Sequence, residues 1–575
     1  MPHIKSLQSP IPAGPAINYY DFLFRRPELR SWPDYTLFVD ATTGRRRRFR
    51  ETLANIEDCA TALTLAADEG GFDMEPGSNE VVGILSENCL EYPVLVLALL
   101  KITVPVALIP AHLSAIETTA LLKRERVRTI FVSPKRYANT SEAIMASGIP
   151  EDHVFILRGH VKGKTSLSDM IDYAKVHGLP QVPTQPVLGD TLACVMFSNG
   201  TSGLSKSVMI SHRNLCHSTM QVESTSRSSN ESTIPISLAA LPFYHTMGAD
   251  AFILRLFVTP TTLVVLPQWN VDLVIRALLR HTINHIVTVP PLMHQLLNHP
   301  EFSKVDLNDL ESVSIGANRL RGDLSQKSEH RAGDVPSLTE DMLNRPREHS
   351  MSERVIQTLI TIAEPFPGMF KDLAEPQRGS TGILFPGTNA HVAREDGSEA
   401  DFGEASELFP LDSDVAVGNP NDVITSHLES FTPDTRLGTG ETLFADEERR
   451  IFSADRLKIH GVHICPSEIE KIIREHPEVV DCVVAGVRGA CQSDGIVPRA
   501  WLVLSESAKA KGVDCILGAI EEFLRGRLSD QHWLHGGFEV IDEIPKLPCG
   551  KVLRRQLQHA HESREGKRAR EQAKL

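Results

Sequence analysis

The sequence predicts an α/β protein: a large N-terminal domain of mixed or mostly parallel sheets flanked by helices, with a small α+β domain after it. Three observations predict this. Through the first half, short apolar runs alternate with amphipathic segments: "VVGILS", "YPVLVLALLK", "VPVALIP", "AIETTALLKRE", "RTIFVS". Strands buried on both faces read as continuous apolar runs, and the helices between them are the crossovers that parallel strands need. The pattern resumes in "TTLVVLP", "VDLVIRALLR", "NHIVTVP" and "LESVSIGA". From about Ile459 the texture changes to "SEIEKIIREHP", "VVDCVVAGV", "RAWLVLS", "ILGAIEEFLRGRL" and "GFEVIDEIP", a compact α+β pattern. A chain of 575 residues is also too long for one simple core, since domains run to roughly 100 to 200 residues.

Taken in order, the N-terminus "MPHIKSLQSPIPAGPAINYY" shows no apolar stretch after its charges, so no secretory signal is expected. The run "GRRRRFR" from Gly44, with "DATT" before it and "FRET" after, reads as a solvated hairpin turn rather than a nuclear or nucleic-acid signal. The apolar region from Tyr92, "YPVLVLALLKITVPVALIP", is broken by Lys101, Pro105 and Pro110. It reads as a buried helix and then a buried strand, not a membrane span. Residues 321–350 hold no aromatic, no Ile and much charge, so a surface loop or poorly ordered insert is expected there. In "SEIEKIIREH", Ser467 is a plausible N-cap.

Composition excludes several classes. Hydrophobic residues at 41% and charged residues at 23% are those of a globular chain. A formal net charge of -14 argues against a nucleic-acid binder. The 9 Cys are scattered with no CxxC pair, which fits reduced thiols rather than a metal or disulfide framework.

Chemistry concentrates first in "FSNGTSGLSKSVMISHRN", residues 197–214, which follows the apolar run "TLACVMF". It misses the Walker A pattern by one residue, because Ser205 stands where a Gly precedes the Lys. The physical content survives. Gly200 and Gly203 permit close backbone approach, Ser198, Thr201 and Ser202 offer hydroxyls, and Lys206 brings charge. Read alone, the stretch is equally a flexible turn.

The stretch resembles the YTSGTTGxPKGVxxSHxN signature of the adenylate-forming (AMP-binding) superfamily of acyl-CoA synthetases, adenylation domains and luciferases. Further matches follow in the family's order: "LPFYHTMG" at Leu241, "VPPLMHQLLNHP" at Val289, "SIGANRL" at Ser314, "FSADRLK" at Phe452, "GVHICPSEIEKIIREHPEVVDCVVAGV" at Gly461 and "EIPKLPCGKVLRRQL" at Glu543. The 4-coumarate:CoA ligase-like branch is the most similar.

The resemblance implies an AMP-binding domain over 1–456 and a small mobile lid domain over 457–575. It also implies an ATP-dependent carboxylate:CoA ligase with ATP, Mg²⁺ and coenzyme A as cofactor and co-substrates and a small-molecule carboxylic acid as partner. The acid is expected to be apolar, aryl or fatty. Ser198, Asn199, Gly200, Thr201, Ser202, Gly203 and Lys206 would hold the β and γ phosphates and the leaving pyrophosphate. Lys551 aligns with the lysine that bridges carboxylate and α-phosphate, and His245 with a histidine that lines the acyl pocket and gates the thiol. Gly316, Ala317 and Asn318 would pack beside adenine. Asp455 and Arg456 match a ribose-contacting stretch, Lys458 falls at the hinge about which the lid turns, and Lys458 and Gly461 are expected among the nucleotide-binding residues.

Some positions depart from the pattern. No aromatic stands before "TE" in "PSLTE", where Thr339 would meet the α-phosphate and Glu340 the Mg²⁺. Glu441 occupies the place of a ribose-binding Asp, and the chain between Lys458 and Gly461 is about four residues shorter than in relatives. These keep open a degenerate, non-catalytic scaffold. An adenylation enzyme serving a carrier protein is a third reading, against which the short stretch after Lys551 favours free CoA. At the end, Ala573, Lys574 and Leu575 form a variant of the peroxisomal SKL address, so an import receptor and the peroxisome are expected.

Overall fold

The computed structural model describes residues 3–5, 11–12, 15–66, 71–188, 190–198, 206–225 and 233–316, short segments between 358 and 464, and residues 466–488, 496–525, 527, 534–546 and 552–572. Two sheets carry the first half. One has six strands in the order Val154–Ile156, Thr129–Val132, Val82–Leu85, Val106–Leu108, Leu192–Ser198 and Lys206–Ser211. All its pairings are parallel except the last, which is antiparallel.

The other has seven strands, in the order Thr358–Leu359, Ser312–Gly316, His285–Thr288, Ile236–Ala239, Thr262–Val265, Thr36–Asp40 and Arg46–Arg48. It too is parallel up to an antiparallel edge. A third, antiparallel sheet joins His3–Lys5, Asn389–Ala393, Ser406–Pro410, Thr442–Ala445 and Ile451–Ser453.

The apolar runs form these strands because both faces are covered: every residue of Val82–Leu85, Thr129–Val132 and Thr262–Val265 is buried. Helix Glu91–Lys101 is buried along its whole length, and its one Lys is neutralised by Glu57. Local chemistry sets the helix starts. Ser114 and Glu117 form a capping box before Ala115–Arg124, Ser133 caps Pro134–Ala146 with Pro at its first position, and Asn270 caps Val271–Arg280.

Towards the C-terminus, Val479–Arg488 pairs antiparallel with Ile496–Leu504, which pairs parallel with Phe538–Val540. Helices Pro466–Arg474 and Val513–Arg525 cover this sheet through Ile469, Ile473, Cys482, Val484, Leu502 and Ile520. No helix among the described residues is long and apolar enough to cross a membrane.

Two expectations are corrected. The helix expected to start after Ser467 starts at Pro466, so Ser467 lies inside the first turn; Pro is pre-organised for that first position. The arginine run does form a hairpin, since Thr36–Asp40 pairs antiparallel with Arg46–Arg48, but it is not wholly solvated. Strand alternation turns Arg47 inward, where it is 4% exposed, donates to Leu90 O at 2.8 Å and pairs with Glu91 at 2.8 Å. Residues 321–350 lie outside the described residues.

Candidate active site

The glycine-rich stretch joins two paired strands. Leu192–Ser198 and Lys206–Ser211 pair so that Phe197 faces Ser207 and Ser198 faces Lys206. Both ends of the loop 199–205 are therefore held side by side. Because Leu192–Ser198 runs parallel to Val106–Leu108, the loop leaves the sheet at the carboxyl ends of its parallel strands. Open α/β sheets bind ligands at that edge. Asn199, Gly200, Thr201, Ser202 and Gly203 lie outside the described residues, while Ser198 and Lys206 are placed as strand residues.

The hairpin is tethered at its foot. Ser207, 1% exposed, donates to Glu125 Oε1 at 2.5 Å and accepts from Arg124 Nη2 at 2.9 Å. A Gly, usual in the signature at this position, has no hydroxyl to make that link. On the other side, Ser211 and Asn214 cap helix His212–Thr225: Ser211 N and Oγ donate to Asn214 Oδ1 at 2.9 and 2.8 Å. His212 accepts from Tyr19 N through Nδ1 at 3.0 Å, which places its proton on Nε2. Burial pulls its imidazole down to about 4, so it is neutral and structural.

His245 caps the short helix Thr246–Ala249 and accepts from Met247 N at 3.3 Å through Nδ1. Its backbone N–H donates to Pro242 O at 3.1 Å. The turn is so tight that a Cβ on Gly248 would lie 2.1 Å from Pro242 O, so only glycine fits. Next comes a single π-helical turn, Asp250–Leu254, a feature frequent at functional sites. Burial pushes the Asp250 carboxyl up to about 7 against the pull of Arg255, whose Nε lies 2.8 Å from Asp250 Oδ1.

Three contacts join this segment to the rest of the site. Arg255 Nη2 donates to Ser218 Oγ at 2.5 Å. The Tyr19 hydroxyl donates to Leu254 O at 2.7 Å and lies 2.7 Å from Thr219 Oγ1. Ser218 and Thr219 belong to the helix that follows the loop hairpin, so His245 and Lys206 sit on elements locked together. The third contact is Asn88, just beyond strand Val82–Leu85. It donates to Leu241 O at 2.9 Å and Leu266 O at 3.0 Å, and accepts from Phe243 N at 2.7 Å. Asn88 thus pins the turn before His245 to the edge of the first sheet. Sequence reasoning missed Asn88, and it read Ser207 only as a mild replacement of the signature's Gly, without its tether; the polar triplet "SEN" directly after an apolar strand was the available signal for Asn88.

Other candidates are placed in part. Gly316 ends strand Ser312–Gly316 opposite Leu359, and Ala317 and Asn318 lie outside the described residues. Lys458 faces His463 in a hairpin of Leu457–Ile459 and Val462–Ile464, whose register pairs Ile459 with Val462. Lys546 bridges Val552, the residues flanking 547–551. Lys551, Gly461, Arg456, Glu441, Thr339 and Glu340 lie outside the described residues. Among the described residues, no group of three or more His, Cys, Asp or Glu could hold a metal ion.

Comparison with known proteins is consistent along the whole chain. The family described as AMP-binding enzyme matches residues 26–410, and its AMP-binding enzyme C-terminal domain matches 468–551. Acyl-CoA ligase easD of Emericella nidulans is 25% identical over 90% of this chain and 92% of its own. 4-coumarate–CoA ligase-like 4 of Oryza sativa subsp. japonica is 25% identical over 95% and 93%. In three dimensions, ATP-bound MatB from Rhodopseudomonas palustris superposes with a TM-score of 0.75 at 20% identity, covering 95% of this chain and 98% of that one. The anthranilate CoA ligase AuaEII in complex with anthranoyl-AMP gives 0.76 at 18% identity, over 97% and 99%. At those identities the likeness is one of fold.

Proposed function

The chain belongs to the AMP-binding enzyme family, and from that membership we infer an ATP-dependent acid–thiol ligase that makes an acyl-adenylate and then an acyl-CoA thioester. One observation carries this reading: relatives named acyl-CoA ligase and 4-coumarate–CoA ligase align over at least 90% of both partners' lengths. In the first step a carboxylate oxygen bonds to the α-phosphorus of ATP while the bond to pyrophosphate breaks. In the second, the CoA sulfur bonds to the acyl carbon and AMP leaves.

Negative charge gathers on the phosphates in the first step, so fixed donors and a cation matter more than a base. Ser198, the loop 199–203 and Lys206 are assigned to the β and γ phosphates and the departing pyrophosphate. Lys551 is assigned to the bridge between carboxylate and α-phosphate. His245 is assigned to the acyl and thiol side, and Gly316, Ala317, Asn318, Thr339, Glu441, Arg456, Lys458 and Gly461 to the nucleotide. Division near 456 into a body and a lid, with Lys458 at the hinge, belongs to the same assignment. Mg²⁺ would accompany ATP, with Glu340 as the protein carboxylate assigned to it. Free CoA is the proposed acceptor and an apolar acid the proposed substrate.

The test is incubation of purified protein with ATP, Mg²⁺, CoA and a panel of aryl and fatty acids, detecting AMP and acyl-CoA. Turnover with one acid class is expected. Absence of turnover with every acid, together with no ATP binding, would overturn the ligase reading in favour of a scaffold.

For location, we propose peroxisomal import through Ala573, Lys574 and Leu575. The support is the tripeptide itself and the basic stretch "GKRAR" before it. Removing the three residues from a fluorescent fusion should abolish punctate import; unchanged puncta would sink the proposal.

A further inference from the structure

His245 caps a helix whose register changes almost at once. Ala249 N donates to His245 O at 2.8 Å, the α-helical spacing of four, whereas Arg255 N donates to Asp250 O at 2.9 Å, a spacing of five. The wide turn Asp250–Leu254 therefore begins at the first residue past the turn that the histidine caps.

The side chains of Asp250 and Arg255 repeat the wider spacing, with Arg255 Nε 2.8 Å from Asp250 Oδ1. On an α-helix, residues five apart point about 140° away from each other, and only those three or four apart are neighbours. The ion pair thus forms only while the turn stays wide.

Both ends of this stretch are fixed from outside. Phe243 N is held by Asn88 at 2.7 Å. Downstream, Leu254 O accepts from the Tyr19 hydroxyl at 2.7 Å, and Arg26 donates to Phe257 O while pairing with Glu223. Arg255 Nη2 donates to Ser218 Oγ at 2.5 Å, and Ser218 and Glu223 both belong to helix His212–Thr225. A slip to the ordinary register must therefore be taken up within 244–253, where His245 lies.

Asp250 is 5% exposed. A charge so buried is costly, and an apolar pair of similar volume would serve stability as well or better. We propose that Asp250 and Arg255 are positioning residues for His245, their pairing holding the wide turn that sets where the imidazole points. The proposal rests on the assignment of His245 to the acyl and thiol side.

A slip of one residue moves a helix by about 1.5 Å and turns it by about 100°, and a misplacement of about 1 Å can cost about 10²-fold in rate. The residues assigned to ATP belong to other segments, so nucleotide affinity should not follow.

The test uses the full chain as Asp250→Asn, as the apolar pair Asp250→Leu with Arg255→Met, as His245→Ala, and as His245→Ala combined with Asp250→Asn. Octanoyl-, benzoyl- and 4-coumaroyl-adenylate are each supplied with CoA. With whichever reacts, thioester formation should fall by about 10-fold to 10²-fold in Asp250→Asn, with KM for ATP in the adenylation step unchanged. The apolar pair should melt no lower than wild type yet show the same fall. Asp250→Asn should deepen the loss of His245→Ala no further, because it acts through that residue. Hydrogen exchange of 246–249 should rise while 212–225 keeps its protection.

Losses that multiply in the combined variant, a KM for ATP that rises in step, or an apolar pair as active as wild type would overturn the positioning role and leave the histidine assignment standing. Thioester formation unchanged in His245→Ala would overturn that assignment and the proposal with it. A wild type that forms no thioester from any of the three adenylates would overturn the ligase reading instead. Should Asp250→Asn fail to fold because Arg255 is left unpaired, the apolar pair, alone and combined with His245→Ala, carries the test.

Discussion

Replacing Asn88 by Ala removes a single side chain but orphans three backbone groups. Asn88 is 1% exposed, and its amide holds Leu241 O, Leu266 O and Phe243 N at 2.7 to 3.0 Å. Each buried backbone group left without that partner costs about 1–3 kcal/mol, although a carbonyl with a second lone pair, or a water entering the gap, recovers part of it. A loss of about 3–5 kcal/mol follows, a large fraction of the roughly 5–15 kcal/mol that holds a domain folded. Asn88→Asp separates hydrogen bonding from volume. It keeps the acceptor for Phe243 N but turns an oxygen toward two carbonyl oxygens, so it should be at least as damaging as Ala despite its matching shape. Thermal melting combined with hydrogen exchange at Phe243 measures both effects, and the exchange reading stays local where a chain of this length need not unfold in one step. His245 lies two residues beyond Phe243, so ligase turnover should fall as well. A loss below about 1 kcal/mol with Phe243 still protected, or an Asp variant as stable as wild type, would refute the account.

Three further outcomes are expected. His212 is held near 4 against an ordinary 6.5, so the folded state refuses a proton that the unfolded chain accepts. Its contribution is complete above pH 6.5 and declines as pH falls towards 4, by up to about 3 kcal/mol. His212→Asn, which offers Tyr19 N another acceptor, should flatten that acid limb of the melting profile; identical limbs in both proteins would count against it. Gly248→Ala should cost about 1–3 kcal/mol or more, because the new Cβ must push Pro242 O aside, and a wild-type melting temperature would contradict the tight turn. Ser207→Ala leaves the buried Glu125 and the partly exposed Arg124 without their hydroxyl partner. It should lower stability by about 1–2 kcal/mol and raise protease cleavage in 199–205; unchanged cleavage would show that the tether does not govern the loop.

How much could be read from residues alone follows from the range of the forces involved. The strands "VVGILS" and "TTLVVLP" were legible because a strand buried on both faces must be apolar throughout, a constraint that each residue meets by itself. Helix starts at Ser114, Ser133 and Asn270 obey chemistry within four positions. Ser467 was misjudged because Pro and Ser compete to open the same helix, and either suits a first turn. The inward face of Arg47 was hidden for another reason. A run of arginines looks uniformly solvated until pairing with a neighbouring strand fixes which members point in.

Within the site, the loop 198–206, the histidine turn and the "GK" loop were visible as motifs because phosphate and acyl chemistry needs particular residue types at close spacing. Asn88 contacts residues 153 and 178 positions away, and Ser207 reaches back 82. No local period marks such partners. Chain order therefore carries the class of fold and the chemistry on offer, because burial pattern and motif spacing are properties of neighbouring residues. Which polar groups hold that chemistry in place is settled when distant segments pack, because a buried hydrogen bond or ion pair exists only once folding has excluded water and brought both its ends together.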